Sequence, residues 1–505
     1  MVGQVSVRVR IAPSPTGPLH IGTARTALYN YLFARRMGGT FIMRLEDTDE
    51  ERSTLDYERD ILDEMHWLGL EWDEGPEIAG QPAKGTYGPY RQMQRIERHR
   101  DVAEQLLRED KAYYCYCTRE ELEADKAAQE AAHEPPHYVG RCAHLTAEQR
   151  AAREAEGRRP VIRFRVGEGV VAFDDIIRGH VEIDTTALGG DLIIVRSNGV
   201  PLYHFAVCVD DADMKISHII RGEDHLSNTP KHILLFRAMG ADVPQFAHLP
   251  LILNPDRTKM SKRKSQTAVA DYRTQGYIRE GFVNFLALLG WSSGTEEEIF
   301  SMDELSQRFE LERVHQGAAV FDRERLEWLN GQWIRKLSDD DLAERVQPFI
   351  VSELRALESD GQGVHLPTVD DVRPLIPMIR ERMSTLAAAG PLVDFLFVDE
   401  LRVDPRLFVT KRWDVATTLA GLTAARETIA AVGEVSFEAD ELEPPLRQLA
   451  EVRGWKAGDL FMSIRVAVTG KTATPPLFDT LVALGYERTL ERLDAARELL
   501  SELPA

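Results

Sequence analysis

Near the N-terminus a loop rich in proline and glycine, Arg10-Ile-Ala-Pro-Ser-Pro-Thr-Gly-Pro-Leu-His-Ile-Gly-Thr23, separates two apolar runs of different period. Before it, Val5, Val7, Val9 and Ile11 alternate with polar residues, which is the period of a strand. After it, Ala24, Ala27, Leu28, Tyr31 and Leu32 recur at helical spacing, and Gly38-Gly39 closes the run. The apolar segment Phe41–Leu45 follows at once. The pattern predicts a strand–turn–helix–strand unit of an α/β sheet, with the loop delivering the chain to a helix N-terminus. Free N–H groups and the positive end of the helix dipole make such a terminus suitable for a phosphate. His20 can donate to an oxygen there, and Gly22 lets a ligand approach the backbone. A lone His-x-Gly tripeptide, however, is more often an ordinary strand-to-helix turn.

A second stretch decides between those readings. Lys259-Met-Ser-Lys-Arg263, followed by Lys264, would by itself be a solvated basic loop. Together with Pro13-Ser-Pro-Thr-Gly-Pro-Leu-His-Ile-Gly22 it resembles the two signatures of class I aminoacyl-tRNA synthetases, with Thr23 where the general signature has a second histidine. Arg10-Ile-Ala-Pro-Ser-Pro-Thr-Gly17 with Arg44-Leu-Glu-Asp-Thr-Asp49 is similar to the glutamyl-tRNA synthetases in particular. Further likenesses follow in order: Gly88-Pro-Tyr-Arg-Gln92, Phe173-Asp-Asp-Ile-Ile-Arg-Gly179, Tyr203-His-Phe-Ala206, Ile220-Arg-Gly-Glu-Asp-His225, Phe321–Gly331 and Ser463-Ile-Arg-Val-Ala-Val-Thr-Gly470. They run almost end to end.

The resemblance implies an α/β Rossmann-type catalytic domain at residues 1–97 and 203–255, interrupted at 98–202 by an inserted α+β domain that holds the tRNA acceptor end. A signature-loop and stem-contact domain at 256–335 and all-helical anticodon-binding domains at 336–505 would follow. It also implies ligation of L-glutamate to the 3′ end of tRNA-Glu through a glutamyl-adenylate, with ATP and Mg²⁺. The catalytic positions would be His20, Gly22, Lys259 and Lys262. Substrate and ATP would meet Arg10, Ala12, Ser14, Glu46, Tyr203, Arg221, Asp224 and Ser261, with Glu46 on the α-amino group. Arg10 and Arg221 both fall at predicted strand ends, and two guanidiniums beside a tyrosine suit a carboxylate.

In the insertion, Cys115-Tyr-Cys117 and Cys142-Ala-His144 bring four soft or borderline ligands into tetrahedral zinc spacing. A full ligand set leaves no open position, so one structural Zn²⁺ is expected, against incidental cysteines beside a surface histidine. Trp328 and Trp333 read as core residues. Beyond 336 the periodicity is helical, without the strand pattern of the β-barrel anticodon domains of bacterial glutaminyl enzymes. There Glu381-Arg-Met-Ser-Thr-Leu386 resembles the family segment that meets the third anticodon base, with Arg382 in the position of the arginine found in discriminating members. A non-discriminating form that also charges tRNA-Gln is the neighbouring alternative. An idle zinc- and RNA-binding relative would be expected to have lost His20, Lys259 or Lys262, and all are present.

A formal net charge of -21 argues against a generally adhesive nucleic-acid binder but leaves room for local basic patches. Four cysteines, no signal-like N-terminal segment and no apolar run of bilayer length lead to the expectation of a cytoplasmic monomer without a membrane span.

Overall fold

The computed structural model describes residues 6–78, 80–260 and 267–503. The chain forms two compact units, one of Met1–Tyr272 with Phe282–Arg323 and one of Arg273–Gly281 with Glu324–Ala505. Among the described residues no helix is long and apolar enough to cross a membrane.

The first unit begins with the expected strand–helix–strand. Strand Arg8–Ile11 runs parallel to Thr40–Met43, with Val9 beside Phe41 and Ile11 beside Met43. Helix Ile21–Met37 connects them and buries Ala24, Ala27, Leu28 and Leu32 against the sheet. It stops because Gly38 adopts φ 61 and turns the chain, a conformation that costs glycine little. The next residue must also be small, since a Cβ on Gly39 would lie 2.4 Å from the Val7 carbonyl oxygen.

Further strands extend this layer. His218–Gly222 pairs in parallel with Gln245–Leu249. The backbone N–H of Arg8 donates to Ser217 Oγ at 2.8 Å, and that of Ser217 to the Arg8 carbonyl at 2.9 Å, joining the two parts. Strand Val170–Asp175 adds to the other side of Gln245–Leu249 through Asp175 and Phe246. That strand lies within the segment expected as the insertion, yet it belongs to the catalytic sheet. The remainder of the insertion is α+β: strands Ala112–Cys115, Val161–Phe164 and Leu192–Val195 form an antiparallel sheet, with helix Arg119–Ala131 between the first two.

The second unit is helical among the described residues, apart from one bridge between Val364 and Val398. Helix Asp339–Ser359 places Leu342, Val346, Ile350 and Leu354 in the core at successive turns. Helices Val415–Val432, Ala457–Thr469 and Tyr486–Ser501 pack around the same core. Trp333 packs against it, whereas Trp328, expected inside, is 47% exposed. In helix Arg323–Lys336 the buried side is made by residues that include Leu326, Leu329 and Ile334, and Trp328 falls on its outer side.

Candidate active site

Parallel strands present their carboxyl ends together, and in open α/β sheets ligands gather at that edge. Here the edge forms a cleft of about 370 Å³ lined by Arg10, Ala12, Ser14, His20, Gly22, Glu46, Tyr203, Arg221, Asp224 and Lys259. Of the positions expected to carry catalysis and substrate binding, Ser261 and Lys262 lie outside the described residues. The chain that follows them is held at the helix N-terminus. The backbone N–H of Ile21 donates to the Thr267 carbonyl at 2.8 Å, and that of Val269 to the Leu19 carbonyl at 2.9 Å. Lys259 Nζ lies 3.7 Å from Asp224, and both groups are more than half exposed, so this pair adds little stability.

His20 caps the helix. Its Nδ1 accepts the Gly22 N–H at 2.9 Å, which leaves the ring proton on Nε2. An imidazole donor and the helix dipole thus share one end of the cleft.

The floor is a buried charge network. Arg44 is fully buried, 2.7 Å from Asp211, 3.2 Å from Glu46 and 3.8 Å from Asp210. Arg10 makes a two-pronged bond to Asp211 at 3.1–3.3 Å. Asp210 takes Arg95 at 2.6 Å, Gln92 at 2.9 Å and His99 at 2.9 Å. Burial alone would raise Asp210, but the His99 bond and the charges of Arg44 and Arg95 bring it down to about 2. Glu46 differs. Burial outweighs Arg44 and Arg10, and its carboxyl is pushed up to about 7. Burial likewise pushes Tyr203 up to about 12, with the Glu46 charge adding to it.

A third cleft guanidinium, Arg25, is held by the backbone carbonyls of Leu289 and Pro250, and Arg221 likewise lacks a carboxylate partner among the described residues. It is 6% exposed, and among the described residues its hydrogen-bond partners are His248, His232, the His225 carbonyl and Thr229. None is a carboxylate. Burial lowers its pKa, and the Arg10 charge acts in the same direction. Arg10 and Arg221 therefore line one cleft, as expected from their positions at strand ends, but the first is already paired with Asp211, which it shares with Arg44. Sequence reading overlooked Asp210, Asp211, Asp175, His232 and His248. An acidic pair closing the apolar helix segment Phe205–Val209 was the available signal for the first two.

A family described as tRNA synthetases class I (E and Q), catalytic domain, matches residues 6–328, and one described as anticodon binding domain matches 341–497. A glutamate–tRNA ligase of Symbiobacterium thermophilum is 45% identical over 97% of this chain and 99% of its own. The chain belongs to the glutamate–tRNA ligase family of class I tRNA synthetases. The Moorella thermoacetica ligase is also 45% identical, over 98% of this chain and 99% of its own. A crystal structure of the glutamate tRNA ligase from Elizabethkingia meningosepticum in complex with its amino acid superposes with a TM-score of 0.84. It is 34% identical and covers 98% of this chain and 100% of that one.

Two features of the family reading lie away from the cleft. In the insertion, the sulfurs of Cys115, Cys117 and Cys142 all lie within 4.8 Å of one another, and His144 is not in that group. A tight turn, in which Ala143 N–H donates to the Gly140 carbonyl at 2.9 Å, leaves His144 exposed. The Tyr138 hydroxyl lies 3.3 Å from Cys115 Sγ and 3.7 Å from Cys117 Sγ, with the Arg163 guanidinium 3.6 Å above its ring. The donor set, three thiols and a phenol, fits a tetrahedral soft metal. In the second unit, Arg382 is exposed and lines a groove of about 1240 Å³ with Pro476, Asp479 and Arg488. Burial and the Arg382 charge together lower the pKa of Arg465.

Proposed function

We propose that the chain joins L-glutamate to the 3′ end of tRNA-Glu, in preference to tRNA-Gln, in the cytoplasm where tRNA is charged. The observation that carries the substrate reading is Arg221, a buried cation at the cleft end of strand His218–Gly222 whose hydrogen-bond partners among the described residues are all neutral. A glutamate side-chain carboxylate supplies the missing charge, and a glutamine amide does not. Glu46 would take the α-ammonium group, and Arg10, Tyr203 and Ser14 would complete the pocket.

The substrate α-carboxylate attacks the α-phosphorus of ATP. The bond to the bridging oxygen breaks, and pyrophosphate leaves. A ribose hydroxyl of the tRNA end then attacks the adenylate carbonyl, releasing AMP. The protein needs no nucleophile of its own, so positioning and charge stabilisation carry the rate. His20 Nε2–H and the helix N-terminus would hold the phosphates, with Lys259 and Lys262 neutralising charge as it develops. Bound with ATP, Mg²⁺ supplies further charge neutralisation at the phosphate oxygens. A single structural Zn²⁺ would sit on Cys115, Cys117 and Cys142, with the Tyr138 hydroxyl nearer the fourth position than His144.

For the anticodon, Arg382 offers only donors, which suit the O2 and N3 acceptors of cytosine better than the Watson–Crick N–H groups of guanine. The glutamate anticodon ends in C and the glutamine anticodon in G. Charging of the two purified tRNAs by the wild type and by Arg382→Gln tests this. A base contact of this kind is worth roughly 1–3 kcal/mol, so the variant should narrow the gap. Equal charging of both tRNAs by the wild type would end the reading.

A further inference from the structure

We infer that Asp175 and His248 are positioning residues for the substrate side-chain carboxylate, acting by holding one imidazole tautomer beneath the Arg221 guanidinium. The inference rests on Arg221 as the carboxylate-binding group. Asp175 is buried at the end of strand Val170–Asp175, and His248 is fully buried on strand Gln245–Leu249.

The hydrogen bonds fix every role. Asp175 Oδ1 accepts three backbone N–H groups, those of Ile177 at 3.0 Å, Arg178 at 2.8 Å and His248 at 3.2 Å. Its Oδ2 lies 2.6 Å from His248 Nδ1. Burial opposes ionisation of Asp175, but the bonds from His248 and from the Arg178 N–H lower its pKa, so it is a carboxylate and Nδ1 must carry the proton. His248 Nε2 is then a lone pair. It accepts Arg221 Nε–H at 3.1 Å and lies 3.1 Å from the Thr229 hydroxyl, which in turn accepts Arg221 Nη2 at 2.8 Å. On the other side, His232 Nδ1 accepts Arg221 Nη1 at 3.1 Å, and its Nε2 lies 3.1 Å from His204 Nδ1. Burial and the Arg221 charge push His232 well below the ordinary histidine value, and burial lowers His248.

The chemical consequence is a guanidinium gripped firmly by acceptors that carry no charge. A carboxylate in place of either imidazole would hold it equally well and spend its charge, as Asp211 does for Arg44 and Arg10 together. The neutral imidazoles leave the full charge to the ligand, which is what separates a carboxylate from an amide of the same shape. The one negative charge in this chain of contacts, Asp175, stands on the far side of the imidazole and acts on Arg221 through the tautomer.

Asp175→Asn isolates that tautomer. The three backbone donors require the amide oxygen to stay on their side, so the amide NH₂ faces His248 Nδ1. The ring then carries its proton on Nε2 and meets Arg221 Nε–H donor to donor. In tRNA-dependent pyrophosphate exchange the KM for glutamate should rise about 10- to 100-fold, the range for leaving one buried donor unpaired. The KM for ATP and kcat should stay within about threefold. His248→Ala should act alike, whereas in His248→Gln the amide oxygen can accept from Arg221 while its NH₂ donates to Asp175. That variant should return glutamate KM to within about fivefold of wild type. An unchanged glutamate KM in Asp175→Asn, or His248→Gln no better than His248→Ala, would overturn the inference, and the second comparison decides it if Asp175→Asn fails to fold. Arg221→Ala separates the two levels. If it leaves glutamate KM unchanged, Arg221 is not the carboxylate-binding group and the inference goes with it. If only Arg221→Ala raises KM, the carboxylate reading survives and the positioning role does not.

Discussion

The carboxyl of Glu46 makes glutamate capture depend on pH in a way that can be worked out from its surroundings. It is buried, with Arg44 at 3.2 Å, and Arg10, Asp211 and Tyr203 also interact with it. Burial raises it from an ordinary value of 4.5 to about 7. At about 1.36 kcal/mol per pH unit, ionising it in the empty cleft costs roughly 3 kcal/mol more than in water. An α-ammonium group bound beside it restores the charged form, so binding and proton release are linked. Above pH 7 the carboxylate is already present and affinity is flat. Below that, each pH unit should weaken glutamate about tenfold, until the lower pKa of the complex is reached. The folding sign runs the other way. A carboxyl more basic in the fold than in the unfolded chain stabilises the fold below 4.5, and that contribution is lost as pH rises through about 7. The assay is kcat/KM for glutamate in tRNA-dependent pyrophosphate exchange across pH 5.5 to 9, which reports the free enzyme. Glu46→Gln should bind glutamate more weakly and lose the acidic limb. A wild-type profile flat between about pH 6 and 8, or the same limb persisting in Glu46→Gln, would refute the argument.

Three other outcomes are expected. Lys262→Ala should lower the turnover number far more than it raises the apparent glutamate constant, and near-normal exchange with tRNA present would remove Lys262 from the transition state. Protein purified without added metal should carry about one zinc per chain by elemental analysis. Cys142→Ser should lose the ion and His144→Ala keep it, and metal-free wild type would exclude the site. Arg44→Met leaves Asp210, Asp211 and Glu46 around an uncharged side chain and should cost the first unit on the order of 3–5 kcal/mol. An unchanged urea midpoint for that unit would show that the network does not stabilise the fold.

Much of this was legible in the sequence because it is local. The period change around the Pro13–Gly22 loop marks a strand and a helix, and Gly38-Gly39 marks the stop, since each signal lies within a few residues of its effect. The positions lining the cleft could be named from short ordered motifs. What escaped is long-range or three-dimensional. Phe173-Asp-Asp175 reads as part of the insertion, and only the pairing of Asp175 with Phe246 carries it to the catalytic sheet. A histidine such as His248 cannot be told from a core residue until the carboxylate beneath it is seen. The spacing Cys142-Ala-His144 promised a ligand pair, but the turn exposes His144, and Tyr138 comes beside the sulfurs instead. Trp328 shows the same weakness, because composition does not say which side of a helix meets the core.

The pairing of Arg44 with Asp211 spans 167 positions of the chain. On the ribosome, at about 5–20 residues per second, that separation corresponds to roughly 10–30 s. Throughout that interval the emerging strands and helix carry Arg10 and Arg44 without Asp210 and Asp211, so the charges that belong in the floor of the cleft cannot yet be buried. The first sheet edge must stay solvated while the insertion is made. Closure of that charge network therefore waits for helix Tyr203–Asp213 to leave the exit tunnel.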